Sequence, residues 1–241
     1  MYKRYLCLGK FMTVCNEFTA IIPVKANSSR LPGKNFLKIG QLSLLERKIK
    51  QLLPVFGAEN ILISTDSEIA QEAALKYGLQ LDIRPGYFCD ESKPFSEFLN
   101  YLKPIIQTNY FCWAPCTSPF VSSTIFKDAI ETFLLKLNEN KCDSLITVSK
   151  FENFLMDKEG PVNFKTGIEH VNSEDLPPYY IFTCGIIIAA VENIPMWNYH
   201  FGPNPHYFEV DEITALDIDT AMDLFYARAI ENSKINDIQL I

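Results

Sequence analysis

The stretch Phe18-Thr19-Ala20-Ile21-Ile22-Pro23-Val24-Lys25-Ala26-Asn27-Ser28-Ser29-Arg30-Leu31-Pro32-Gly33-Lys34-Asn35 decides the reading of the fold. It opens as an apolar run of strand length and continues as a polar loop. Beyond the loop, Leu44, Leu45, Lys48, Ile49, Leu52 and Leu53 recur at mostly helical spacing, which predicts a helix over 43–53. Strand, loop and helix in that order begin a βαβ unit.

The same alternation continues outward. Strands are predicted at 60–64, 79–83, 110–114 and 143–149, with helices at 66–77, 95–106 and 122–137 between them. Asp66 and Ser122 are expected N-caps, and Gly78 is an expected helix stop. From 150 to 178 the regularity ends in mixed Gly, Pro, Asn and charged residues, which predicts an excursion from the sheet. A strong strand at 180–190, a short one at 207–210, a strand end or turn at 216–219 and a helix at 220–230 complete the pattern. The expected class is α/β with a mainly parallel central sheet.

At 241 residues the chain suits one domain, expected over 18–241, with 1–17 as a leader preceding it and the true start open between Met1 and Met12. Acidic residues outnumber basic ones, 29 to 22, for a net charge of −7 and no long basic run, which argues against nucleic acid as a partner. Seven scattered cysteines, without a paired C-x-x-C, suit reduced thiols in the cytoplasm. Lys10 interrupts the early apolar residues before a signal core forms, and no run approaches the ~20 apolar residues of a membrane span.

In open parallel sheets ligands bind beyond the carboxyl ends of the strands, and every candidate motif falls at such an end. The first loop holds Lys25, Arg30 and Lys34 among Ala26, Asn27, Ser28 and Asn35. Backbone N–H groups and cations together can face a polyphosphate and neutralise charge on its α-phosphate and leaving pyrophosphate. A solvated basic turn is the plain alternative. The loop matches neither the G-x-x-x-x-G-K-[ST] pattern nor a dinucleotide fingerprint.

Near the other terminus lies Asp217-Ile218-Asp219-Thr220. Alternation in an extended segment aims both carboxylates to one side and Ile218 into the core. Two carboxylates there suit Mg²⁺, a hard ion that leaves positions for phosphate oxygens and water. The alternative is a helix cap, which accounts for Asp219 or Thr220 but not for Asp217.

Ser64-Thr65-Asp66, Arg84-Pro85 and Pro115-Cys116-Thr117-Ser118-Pro119 end further strands. Singly they read as caps and turns, although the Thr117 and Ser118 hydroxyls are free to contact a base or ribose. Cys116 is a weak nucleophile candidate, since His170, His200 and His206 lie far along the chain. Glu209, Asp211 and Glu212 read as surface.

The order of the first loop, Ser64-Thr65-Asp66, Arg84-Pro85, Thr117-Ser118-Pro119 and Asp217-Ile218-Asp219-Thr220 resembles the acylneuraminate cytidylyltransferase family over roughly residues 19 to 230. The resemblance implies a Rossmann-like nucleotidyltransferase fold, CTP as donor, Mg²⁺, and a homodimer in which a protruding segment, here 150–178, completes the partner's site. It places Lys25 where the family has a phosphate-contacting arginine. Asn27, Ser28 and Asn35 fall along the loop, Lys34 on its lysine, and Asp217 and Asp219 on the metal-binding aspartates. The implied chemistry is attack by the anomeric hydroxyl of a 2-keto-3-deoxy sugar acid on the α-phosphorus of CTP, for surface-glycan synthesis. Lys25, Lys34 and Asp217 would carry it, with Ala26, Arg30, Arg84, Thr117 and Ser118 among the nucleotide contacts.

Several departures qualify the match, among them Ala26 and Asn27 where the family's loop has glycines, and Asn153, Phe154 and Met156 where a lysine would help hold a sialic acid. Lys25 lacks the bidentate fork of arginine. Pro115 and Cys116 stand where the family has glutamine. Ile181-Phe182-Thr183-Cys184-Gly185-Ile186 stands where an arginine and asparagine would meet the sugar, which points to an acceptor other than ordinary sialic acid. A sugar phosphate or polyol phosphate acceptor, with Lys158 and Lys165 as its cations, and a nucleotide-binding paralogue without turnover are the other readings.

Overall fold

The computed structural model describes residues 16–233; of the expected leader, 1–15 lie outside this range. In chain order the elements begin with β1 (Phe18–Val24), the hairpin β2 (Lys38–Ile39) and β3 (Leu42–Ser43), then α1 (Leu44–Phe56), β4 (Ile61–Thr65), α2 (Glu68–Tyr77), β5 (Gln80–Ile83) and α3 (Phe95–Leu102). Next come β6 (Tyr110–Trp113), α4 (Ser123–Asn138), β7 (Ser144–Phe151) and a second hairpin, β8 (Met156–Asp157) with β9 (Gly160–Pro161). The chain then runs through β10 (Tyr179–Ala190), α5 (Ile194–Trp197), β11 (Pro205–Glu209) and α6 (Ala221–Ser233).

Seven strands form one sheet in the order β11-β7-β10-β6-β1-β4-β5. β1 pairs in parallel with β4 and β6, β4 with β5, and β7 with β11. β10 runs antiparallel to both its neighbours, because the chain re-enters the sheet from the far end of the 150–178 excursion rather than through a crossover helix. Alternate residues of β1 feed opposite faces. Ala20, Ile22 and Val24 pack with α1, α2, α4 and α6, whereas Ile21 packs with α3 and α5. Burial on both sides is why β1 reads as a continuous apolar run.

Several expected boundaries shift for local reasons. Helix α1 continues through Pro54 to Phe56, since Val55 and Phe56 are buried against the core, and it opens with a Ser43/Glu46 capping box. Asp66 does not cap α2. Ser67 occupies that position, and the Asp66 carboxylate instead accepts the Ala26 backbone N–H at 2.7 Å. Helix α3 ends at Leu102, and residues 216–219 form no strand.

Near Cys184 the ladder of β10 slips between Phe182 and Ile187, with Cys184 at φ 56°. The Thr147 hydroxyl accepts the Ile186 N–H at 2.9 Å. A Cβ on Gly185 would stand 3.2 Å from the Val121 side chain and 3.3 Å from that hydroxyl, so glycine permits the close approach. Beyond the bulge, Tyr179–Phe182 of β10 and the end of β7 leave the core as a ribbon. The ribbon and the 152–178 segment expose Phe154, Met156, Val162, Ile168, Val171, Tyr179, Tyr180 and Ile181.

Candidate nucleotide-transfer site

The loop after β1 folds back on itself. Gly33 takes the left-handed conformation that lets 34–36 form a 3₁₀ turn, and the buried Asn35 amide donates to the Lys25 carbonyl at 3.2 Å. The Asp66 contact to Ala26 fixes the other side. So braced, the loop presents Arg30 and Lys34 to the opposite end of the chain. Lys34 Nζ lies 2.7 Å from Asp219 Oδ1, and an Arg30 guanidinium nitrogen lies 2.7 Å from Asp219 Oδ2.

Thr220 and Asp223, and not Asp219, cap α6. Asp223 Oδ2 accepts the N–H groups of Asp219 and Thr220 and the Thr220 hydroxyl, and the Thr220 hydroxyl accepts the Asp223 N–H. The capping duty is thereby discharged without the side chain of Asp217 or Asp219. Ile218 is fully buried, and its N–H donates to the Thr117 carbonyl at 2.8 Å, which ties the acidic pair to the loop after β6. Asp217 Oδ1 is buried without a hydrogen-bond partner. Burial pushes the Asp217 carboxyl above the usual carboxylate range, against the pull of a Thr117 hydrogen bond.

A cavity of about 380 Å³ opens beside this junction. Of the residues expected to bind nucleotide, Lys25, Ser28, Lys34, Asn35, Arg84 and Thr117 line it. Ala26, Asn27, Arg30 and Ser118 do not, and Ser118 faces inward, its carbonyl held by Lys48 Nζ at 2.9 Å. Arg84 is nearly buried. It donates to the Ser64 hydroxyl and carbonyl, stacks 4.1 Å over Phe98, and belongs to a network in which Ser64 and Tyr101 share Asp82.

A second cavity, of about 480 Å³, is lined by Asp217, the β7–β10 ribbon, Cys184 and Glu212. Asp217 therefore stands at its wall, while Lys34 stands in the first. Lys150, the cation of the second cavity, is paired with Glu152.

Sequence reasoning passed over two features. The 86–94 segment supplies Phe88, Cys89, Asp90, Glu91 and Lys93 to the first cavity, and its position after the β5 end was the available signal. Lys48 is fully buried on the apolar stripe of α1, beneath the ring of Phe126, and burial pushes its ammonium down to about 8. The weak nucleophile candidate, Cys116, is buried, and its thiol is pushed up to about 12, so it is not a thiolate at neutral pH. His200 is enclosed by Phe95, Trp113 and Tyr199, and burial pushes its imidazole down to about 3. Of the residues taken as surface, Asp211 accepts both the N–H and the hydroxyl of Thr214, and Glu209 accepts the Tyr180 hydroxyl.

A family model described as cytidylyltransferase matches residues 19–166. An N-acylneuraminate cytidylyltransferase of Streptococcus agalactiae serotype III (strain NEM316) is 24% identical over 215 residues, covering 86% of this chain. The chain spans about half of that relative's length, 51%. A pseudaminic acid cytidylyltransferase of Campylobacter jejuni subsp. jejuni serotype O:2 is 25% identical over 224 residues, 86% of this chain and 93% of its own. Among solved structures, a CMP:2-keto-3-deoxy-manno-octonic acid synthetase complexed with CTP shares the fold, with TM-score 0.65 and 16% identity over 90% of this chain and 99% of that one.

Proposed function

Because the chain belongs to the cytidylyltransferase family, we propose that it transfers CMP from CTP to the anomeric hydroxyl of a 2-keto-3-deoxy sugar acid, releasing pyrophosphate. The observation that carries this reading is the meeting of Lys34 and Arg30 with Asp219, between one cavity with a phosphate loop and another with room for an acceptor.

In this reading the first cavity holds CTP, with Lys25, Ser28 and Lys34 toward the phosphates and Asn35, Arg84 and Thr117 on the remaining wall. The acceptor occupies the second cavity, its hydroxyl directed at the α-phosphorus and Asp217 at the wall beside it. The acceptor oxygen forms the new bond to phosphorus as the bond to pyrophosphate breaks. An oxygen of Asp217, which lines the acceptor cavity, can take the hydroxyl proton.

The residues fit Mg²⁺. Asp217 Oδ1 is a buried oxygen without a partner, and the Asp219 carboxylate, two residues on, is ion-paired with Lys34 and Arg30. Mg²⁺ commonly takes several of its ligands from phosphate and water. Asp217 and Asp219 would hold the ion, which supplies charge neutralisation at the phosphates. The paired Lys150 favours a sugar acid over a phosphorylated acceptor. Lys158 and Lys165 are likewise exposed and paired, with Glu159 and Glu169.

The exposed apolar ribbon and the 152–178 segment support a homodimer built through them. No described helix is long and apolar enough to cross a membrane; the nucleotide substrate of the proposed reaction supports a cytoplasmic setting.

The test is pyrophosphate release by the purified protein with Mg²⁺, each nucleoside triphosphate, and a panel of 2-keto-3-deoxy sugar acids and sugar phosphates. CTP with a sugar acid is expected to react. Release with sugar phosphates alone would replace the acceptor assignment, and none under any condition would mean binding without turnover.

A further inference from the structure

Glu91 crosses the mouth of the first cavity from the 86–94 segment and pairs with Lys25, Nζ to Oε1 2.5 Å. Hydrogen bonds from Lys25 and from the Ser29 hydroxyl hold the Glu91 carboxyl below the usual range. Glu91 is more than half exposed, and open ion pairs of this kind contribute little to stability. The contact instead joins an exposed carboxylate to the loop cation that lines the cavity. A carboxylate oxygen on Lys25 Nζ occupies the position that a phosphate oxygen would take on that cation.

We propose that Glu91 is a specificity-determining residue: its carboxylate stands in for phosphate on Lys25 in the nucleotide-free protein, and a triphosphate must displace it to bind. This rests on the first cavity being the CTP site. A ligand with a full triphosphate brings enough charge to take Lys25 from Glu91, whereas a monophosphate does not reach it. Glu91 thus separates CTP from CMP at the entrance. When pyrophosphate leaves, the carboxylate returns to Lys25 and opposes its rebinding.

The test is calorimetric measurement of Mg–CTP and CMP affinity, with Trp113 fluorescence as a second reporter because that ring lines the cavity. The proteins are the unaltered chain, Glu91→Gln, Lys25→Met and the double variant. Glu91→Gln is expected to tighten Mg–CTP by about three- to fivefold, the scale of one exposed ion pair. CMP affinity should change less than twofold, and the tightening should vanish in the Lys25→Met background. Unchanged or weaker CTP binding by Glu91→Gln overturns the proposal, as does equal tightening without Lys25, which would be general charge repulsion. In both cases the nucleotide site itself stands. If no form of the protein binds CTP, the reading of the cavity fails and this proposal with it.

Discussion

Lys34 Nζ and Asp219 Oδ1 lie 2.7 Å apart although 185 positions separate them in the chain. This contact joins the loop after the first strand to the turn before the last helix, and it brings a phosphate-binding candidate to a metal-binding one. The pair is partly exposed and shares its carboxylate with Arg30, so its contribution to stability is at most about 1 kcal/mol per ion pair. Its value lies in placement.

Asp219→Asn tests that placement. The variant should keep its circular dichroism spectrum and lose at most about 2 kcal/mol of stability, while Mg²⁺-dependent pyrophosphate release falls at least ~100-fold. Full turnover in the folded variant would remove Asp219 from the site.

Asp217→Asn should behave differently in the absence of metal. The folded carboxyl is raised above its unfolded value by burial, so the native state gives up stability as pH rises from the unfolded toward the folded value. Neutralising it is expected to raise the melting temperature by about 2–4 °C at pH 7, the shift that ~1 kcal/mol produces in a chain of this size. The gain should shrink below about pH 4, the ordinary aspartate range. Mg²⁺ should stabilise the unaltered chain and not the variant. A variant melting lower at pH 7 would contradict the burial argument.

Lys48→Met addresses the buried ammonium under Ser118. The folded value of about 8 lies below the unfolded value of 10.5, so between these the unfolded state binds more protons and stability from this group rises with pH. The groups nearest this charge are Cys112, Cys116 and Asp217. Urea unfolding at pH 7.5 and pH 10 should show the unaltered chain gaining on the variant as pH rises. A constant difference between the two would mean that Lys48 does not titrate in this window.

Cys116→Ala should leave turnover within about threefold of the unaltered rate, because a buried thiol with its pKa near 12 offers no thiolate. Inactivation of the folded variant would reopen nucleophilic catalysis.

Ile168→Asp probes the exposed apolar segment. Light scattering after gel filtration should give twice the chain mass for the unaltered protein and a lower mass for the variant, since an aspartate in an apolar contact is desolvated without a partner. A monomeric unaltered protein would overturn the dimer proposal.

The alternation of apolar runs and helical periods was enough to place β1, β4, β6, β7 and the helices between them. Each of these is built from local pattern, and each buries a stripe that its own residues announce. The direction of β10 was not legible. A strand's residues record which faces are buried, but whether it runs parallel or antiparallel depends on where the preceding excursion delivers the chain. Asp66 was misread as a cap for a similar reason. A carboxylate before a helix can satisfy the helix or a neighbouring loop, and only the position of Ala26 shows which donor it meets.

The amino-acid order alone determined the two polar motifs, the cationic loop and the Asp217–Asp219 pair, since charge, spacing and strand ends are properties of the chain itself. Which side chains face the cavity, and which turn into the core, was decided by the tertiary fold. Ser118 is turned inward by a buried lysine on α1, Thr220 and Asp223 relieve Asp219 of the capping role, and Glu91 reaches Lys25 from 66 residues away. Those outcomes depend on distances through space between segments far apart in the chain, which periodicity does not encode.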